Sequence, residues 1–262
     1  MLTVLSPAKS LDFESKLATR RHTEPRLLGE SGALIDVMRT KTPADIARLM
    51  HISDDLAHLN ATRYAEYDAE HTLRNARQAI LAFNGDVYLG MEARTFDARD
   101  LTEAQKSIRI LSGLYGLLRP LDLIQPYRLE MGTRLATERG SSLYDWWGTE
   151  VTDLVAEDLK ASPGADVLVN LASVEYSTVI DEGRLGARVV APRFEDVDAK
   201  GVPRVVSFFA KRARGAMTAW LVRNRVRTPG KIVDFDGLGY RYDEQRSSKD
   251  RPVFVRAKNP QN

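Results

Sequence analysis

The sequence predicts a mixed α/β (α+β) fold, a single compact domain over residues 1–256 with a mixed sheet and a frayed tail at residues 257–262. Three observations carry this. Short β-rich apolar runs occur at Leu2 to Leu5, Ile108 to Leu111 and Asp166 to Val169. Amphipathic helical stretches lie among them without a regular βαβ rhythm, which argues against a doubly wound sheet. No stretch rich in Pro, Gly and Ser cuts the 262 residues into two units, a length within reach of one large domain.

In order along the chain, Leu2-Thr3-Val4-Leu5 reads as a buried first strand stopped by Ser6-Pro7. Pro25 to Thr40 reads as a helix on Leu27, Leu28, Ile35 and Met38, weakened by Gly29 and Gly32. Thr42-Pro43 offers an N-cap and an N1 proline for a helix through Met50, and Ser53 caps the next. Asp97 to Lys106 reads as helical, and Ile108 to Leu111 as a strand running into a glycine-rich turn. Leu143 to Leu159 reads as one helix, with Trp146, Trp147, Val151, Leu154 and Val155 on one face, ended by Ser162-Pro163-Gly164. Strands are expected at Asp166 to Val169, Arg188 to Pro192 and Arg204 to Phe209. A helix follows over Ala210 to Arg225. Closing strands are expected at Ile232 to Phe235, Tyr240 to Glu244 and Pro252 to Arg256.

Composition excludes several kinds of chemistry. There is no cysteine, so disulfides, thiolate nucleophiles, zinc–thiolate sites, iron–sulfur clusters and thiol-based oxidant sensing are out of reach. No apolar run approaches the ~20 residues that span a bilayer. The first apolar run has neither the flank nor the length of a secretory signal, so a cytoplasmic location without membrane contact is expected. Phosphate-binding G-x-x-x-x-G-K-[ST], dinucleotide-binding G-x-G-x-x-G and hydrolase G-x-S-x-G patterns are all missing.

Charge is segregated. The chain holds 38 basic and 36 acidic residues, yet Lys200 to Lys231 carries nine Lys or Arg and no Asp or Glu. Such a segment is either a solvated face or the footprint of a polyanion, most often a nucleic-acid backbone. Within it, Phe209, Ala213, Met217, Trp220 and Leu221 recur at helical spacing and should face the core. Lys211 and Arg214 share an exposed side with Arg212 beside them. Arginine forks suit phosphate oxygens.

The turn Ser112-Gly113-Leu114-Tyr115-Gly116-Leu117-Leu118 places two glycines three apart between apolar anchors. Glycines let successive N–H groups point at a phosphate, the logic of a helix-hairpin-helix grip on DNA, although that hairpin usually spaces its glycines two apart. An ordinary tight connection explains the same residues. Beyond it, Tyr127 and Arg128 are placed to stack on a base and hold a phosphate, or else Arg128 pairs structurally with Glu130. Lys9, in the loop after the first strand, is a phosphate ligand, an amine nucleophile or part of a polar turn. His51, Asp55 and His58 fall at i, i+4 and i+7 of a predicted helix and would share one face, as metal ligands must, but no fourth ligand is recognisable, an exposed polar helix face explains them as well, and the expectation is no bound metal and no cofactor.

The order of the longer motifs resembles the YaaA family of peroxide-stress proteins over nearly the whole chain. They are Leu2-Thr3-Val4-Leu5-Ser6-Pro7-Ala8-Lys9-Ser10-Leu11-Asp12, Asn75 to Phe83 with Gly85-Asp86-Val87-Tyr88, the glycine turn with Arg119-Pro120-Leu121-Asp122-Leu123, Gln125 to Gly132, Val169-Asn170-Leu171-Ala172-Ser173 with Glu175-Tyr176, and Ser207 to Gly215. The resemblance implies a cytoplasmic protein, expected as a monomer, that binds double-stranded DNA, protects it during hydrogen-peroxide stress and keeps free intracellular iron low. It implies a helix-hairpin-helix element, here at Ser112 to Leu118, beside a basic cleft drawn from Arg119, Arg128, Lys211, Arg212, Arg214 and Lys9. It carries over no catalytic residues. Two alternatives stand beside it. One is a lyase or glycosylase acting on damaged DNA, with Lys9 as imine-forming amine and Asp122 or Glu130 as acid–base. The other is direct iron binding through His51, Asp55 and His58 or other carboxylates.

Overall fold

The computed structural model describes residues 1–257. In chain order the elements begin with strand β1 (Leu2–Leu5) and helices α1 (Leu28–Arg39), α2 (Pro43–Met50) and α3 (Asp54–Glu66). Strand β2 (Arg77–Gln78) and helices α4 (Ala79–Ala82), α5 (Asp86–Met91) and α6 (Ala98–Ser107) follow. Next come β3 (Ile108–Ser112), β4 (Gly116–Leu118) and β5 (Leu123–Ile124), then α7 (Leu143–Trp147) and α8 (Glu150–Ala161). The chain continues with β6 (Val167–Asn170), α9 (Val174–Ser177), α10 (Glu182–Leu185), β7 (Arg188–Val190), β8 (Arg193–Val197) and β9 (Pro203–Arg204). Helix α11 (Ser207–Arg223) and strands β10 (Arg241–Tyr242) and β11 (Val253–Arg256) complete it.

Five strands form the central mixed sheet in the order β4-β3-β1-β6-β7. Strands β3, β1, β6 and β7 run parallel, and β4 returns antiparallel to β3. Leu2 to Leu5 are all buried, as the run of apolar residues requires of a strand covered on both faces. A second mixed sheet has the order β10-β11-β8-β9, and β2 and β5 make a two-stranded ribbon. One hydrophobic cluster runs through the central sheet and its helices and includes Phe194, Phe235, Tyr240 and Phe254 at the second sheet. The mixed α/β class therefore holds.

Local sequence explains where helices start. Thr42 caps α2 with a reciprocal box: its hydroxyl accepts from the Asp45 N–H at 3.2 Å, and Asp45 accepts from the Thr42 N–H at 3.0 Å. Asp97 caps α6 in the same way, accepting from Arg99 and Asp100 N–H groups at 2.7 Å.

Several expectations are corrected. Leu143 to Leu159 is two helices, because Gly148 takes φ 47° and breaks the path between α7 and α8. The strand expected at Arg204 to Phe209 ends at Arg204, and α11 already begins at Ser207. Ile232 to Phe235 falls mostly in a 3-10 turn, Pro229–Asp234, with proline fixing its first position. Strand β8 was not expected, since Arg193, Glu195 and Asp196 look solvated in sequence. Glu195 is nonetheless buried, held by Arg193 and Arg246. Of the tail expected at residues 257–262, all but Ala257 lies outside the described residues.

Candidate functional site

The glycine turn is strand–turn–strand and not helix–hairpin–helix. Ser112 pairs with Gly116 across the β3–β4 hairpin, and Leu111 with Leu117. Gly113 is required by contact: a Cβ there would lie 2.2 Å from the Leu129 carbonyl oxygen. Gly116 has φ 65°, and its missing side chain leaves room for Trp147. Ser112, Gly113, Leu114, Tyr115, Gly116 and Leu117 are all buried. Their polar groups are consumed inside: Ser112 Oγ accepts from the Tyr115 N–H at 2.9 Å and bonds the Tyr127 hydroxyl at 2.7 Å, while the Gly113 carbonyl accepts from Trp147 Nε1 at 3.0 Å. A buried nest has no phosphate to meet. Tyr127 is likewise buried, and burial raises its hydroxyl pKa, so it cannot stack on an external base. Arg119 pairs with Asp122, which is fully buried, and donates to the Glu24 carbonyl at 2.7 Å. Asp122 also accepts from Thr23 Oγ1 at 2.6 Å. These two residues brace the loop between β4 and β5, and Asp122 is unsuited to acid–base work on an external substrate.

The iron-binding constellation is corrected too. His51 caps the end of α2 in a left-handed conformation, φ 51°, whereas Asp55 and His58 belong to α3. The three do not share one helical face, and no group of three metal-ligating His, Asp or Glu side chains occurs among the described residues.

Three of the remaining predicted cations, Lys9, Lys211 and Arg214, do converge. At the carboxyl ends of β1 and β6 lies a cavity of about 400 Å³, lined by Ser6 to Ser10, Gly85 to Tyr88, Ser173, Glu175, Tyr176, Lys211 and Arg214. Its position follows from topology: β1 is flanked by β3 on one side and β6 on the other. The chain passes from β1 toward the β3 side and from β6 toward the β7 side, so a crevice forms at the carboxyl ends of this strand pair. Ser173 N–H donates to Ser6 Oγ at 2.8 Å, with the two hydroxyl oxygens 3.2 Å apart, tying the loops together. The Tyr88 hydroxyl donates to the Ser6 carbonyl at 3.0 Å.

Helices α5 and α11 make the other walls and cross backbone to backbone. A Cβ on Gly90 would fall 2.1 Å from the Arg212 carbonyl oxygen, and one on Gly215 would fall 1.8 Å from that of Val87. Only glycine at both positions permits this approach. Lys211 and Arg214 of α11 and Asp86 of α5 all line the cavity. Arg214 is partly buried, and burial alone pulls its guanidinium below the ordinary value. Arg212 turns to the neighbouring hollow with Asp12 and Arg94, its guanidinium over the Phe208 ring at 5.5 Å. Lys9 is exposed at the rim, 3.0 Å from Glu130, which Arg128 also holds at 3.0 Å. Arg128 thus meets the cleft only through that carboxylate.

Sequence reasoning on single residues missed Asp86, Tyr88, Ser173 and Tyr176, which the fold brings beside Lys9. Burial pushes the Tyr88 and Tyr176 hydroxyls well up, so both stay neutral. Ser173 sits just after a buried strand, the same placement that singled out Lys9. That signal was available.

A cationic cleft at the parting of parallel strands, walled by two helices in glycine contact, defines a mixed α/β protein with one concave polar site at its sheet end. The chain belongs to the family described as peroxide stress protein YaaA, whose model matches residues 1–246. It is 52% identical over 256 residues to a UPF0246 protein of Tolumonas auensis, covering 98% of each chain. A role in peroxide stress comes with that membership. Among the described residues no helix is long and apolar enough to cross a membrane.

Proposed function

We propose that the protein acts in peroxide stress by binding double-stranded DNA through its phosphate backbone. The observation that supports this is the convergence of Lys211 and Arg214, neither with an ion-pair partner among the described residues, on an open cleft with Lys9 at its rim. Arg212 extends the positive surface along the adjoining face of α11. Guanidinium and ammonium groups without internal partners are the donors a phosphodiester needs. Contacts of this kind position a duplex without reading its sequence. The grip comes from this cleft and not from the buried glycine turn. DNA protection and lower free intracellular iron belong to the same proposal as consequences of binding.

The test is fluorescence anisotropy of a labelled duplex across salt concentrations. Affinity should fall steeply with salt, because each neutralised phosphate releases counterions. Replacing Lys211, Arg212 and Arg214 together by Ala should weaken binding; unchanged affinity would remove the cleft from the reading. Cells carrying that variant should also hold more free iron than cells with the unaltered protein, as read by electron paramagnetic resonance.

A second reading, a lyase acting on damaged DNA, has one observation in its favour: the Lys9 amine stands in the cleft with the Glu130 carboxylate 3.0 Å away. Borohydride should trap a covalent adduct between Lys9 and abasic DNA through the imine. Intact protein without added mass after that treatment eliminates it.

A further inference from the structure

The cavity at the ends of β1 and β6 is lined by groups of both charge signs. Lys211 and Arg214 come from α11, the Asp86 carboxylate, with no hydrogen-bond or ion-pair partner among the described residues, comes from α5, and Glu175, which accepts from the Gly132 N–H at 3.0 Å, comes from α9. Ala8, Val87 and Tyr88 add apolar surface to the lining, of which Val87 and Tyr88 are buried. The pair Ser6 and Ser173 adds hydroxyls at the strand ends. A bare inorganic anion would use the cations and be repelled by the Asp86 carboxylate. A ligand suited to this lining combines an anion, a flat apolar body and hydrogen-bond donors. A nucleotide has these three parts. The volume, about 400 Å³, lies within the ~300–1,000 Å³ usual for small-ligand sites, and is too small for a duplex.

We propose that this cavity receives one nucleotide, its phosphate between Lys211 and Arg214 and its base or sugar donors on Asp86. The inference rests on the backbone-binding reading and narrows it: DNA lies along the cleft, and one nucleotide, at a strand end or turned out of the stack, enters the cavity. Extrusion costs a few kcal/mol of unstacking and pairing, which a prepared pocket offsets. The free mononucleotide presents the same chemistry, so the experiment separates the two sources.

Calorimetry with 2′-deoxyadenosine 5′-monophosphate and with inorganic phosphate reads the pocket directly. Fluorescence of 2-aminopurine placed inside a duplex, and at its 5′-phosphorylated end, reads entry of a strand nucleotide, with anisotropy on the same samples reporting binding. The expected results are saturable binding of the mononucleotide and a rise in 2-aminopurine emission when the duplex is bound. Arg214→Gln should weaken the mononucleotide roughly tenfold or more, as loss of a charge-assisted contact does. Lys211→Gln, on an exposed side chain, should do the same in direction, and it keeps the test decisive if Arg214→Gln lowers the melting temperature. Asp86→Asn should weaken the mononucleotide but leave or strengthen inorganic phosphate. Duplex binding with no mononucleotide binding and no emission change overturns the pocket while the backbone-binding reading stands. Mononucleotide binding with no duplex binding at low salt supports the pocket for the free ligand and overturns the DNA reading. Equal weakening of nucleotide and phosphate by Asp86→Asn overturns the assignment of Asp86 to the base or sugar donors.

Discussion

The middle and the end of the basic segment contrast sharply. Toward its end, Arg227 makes a double contact with Glu103 at 2.6 and 2.8 Å, and Lys231 lies 3.2 Å from Asp234. In its middle, Lys211 and Arg214 have no acidic partner among the described residues and look onto the cleft. All four belong to one stretch without acids in the sequence. A run of like charge along the chain is therefore not a patch of like charge in space. Arg227 draws its carboxylate from α6 and Lys231 from its own turn, whereas Lys211 and Arg214 are left uncompensated among the described residues. The cations that matter for a polyanion are those the protein has not already neutralised.

That contrast can be broken in four ways. The largest effect is expected from Gly215→Val, which puts carbon atoms where the Val87 carbonyl already lies. Helices α5 and α11 must separate, at a cost of about 3 kcal/mol by the usual scale of overpacking. Urea unfolding should show the midpoint drop; a midpoint equal to wild type means the helices do not depend on this contact. Next, the Lys211, Arg212 and Arg214 triple alanine variant should lose on the order of 100-fold in duplex affinity. The slope of log affinity against log salt should shrink by roughly two to three, at about 0.9 per phosphate contact. Its stability should stay within about 1 kcal/mol, since no ion pair is lost. Arg227→Ala should behave in the opposite sense. It leaves Glu103, which is 6% exposed, without its partner, and should cost about 2 kcal/mol, discounted for the partial exposure of Arg227. Its duplex affinity should change less than about twofold. If Arg227→Ala weakens DNA binding as much as the triple variant, the division between paired and unpaired cations fails.

The smallest effect concerns the buried paired class at Asp158, which receives Arg26 and Arg109. Burial alone would raise its pKa, but the hydrogen bonds and charges of the two arginines outweigh that and hold it below 3.8. A carboxylate depressed in the folded state lends stability above its unfolded pKa and loses it as pH falls through the folded value. Stability should therefore begin to decline below about pH 4. The Asp158 carboxyl carbon resonance should titrate below 3.8; titration above that value reverses the sign of the assignment.

What the sequence made legible was local. The first strand, the Thr42-Pro43 start and the helix carrying Lys211 and Arg214 all depend on neighbours a few residues away, and they read correctly. The turn at Ser112 to Leu118 did not. Two glycines three apart fit a phosphate nest and a tight hairpin equally well. What decides is the Leu129 carbonyl against Gly113 and Trp147 against Gly116, contacts made by residues 16 and 31 positions away in the chain. Strand β8 was hidden because Glu195 looks exposed until Arg246, 51 residues on, covers it. The cleft was half legible. Lys9, Lys211 and Arg214 stood out by charge and by place, but Asp86 and the Ser6–Ser173 tie are visible only once β1 and β6 are adjacent.

The contact of Gly90 and Gly215 has a kinetic consequence. With α5 and α11 touching through their backbones, the helices that carry Asp86, Lys211 and Arg214 are fixed relative to one another, and only side-chain rotation is left to adjust. A ligand of the proposed kind would meet preset walls, and its binding would lose ordering entropy only at those side chains. Loading should then be one fast phase whose rate rises linearly with ligand concentration and slows with added salt, with no later isomerisation.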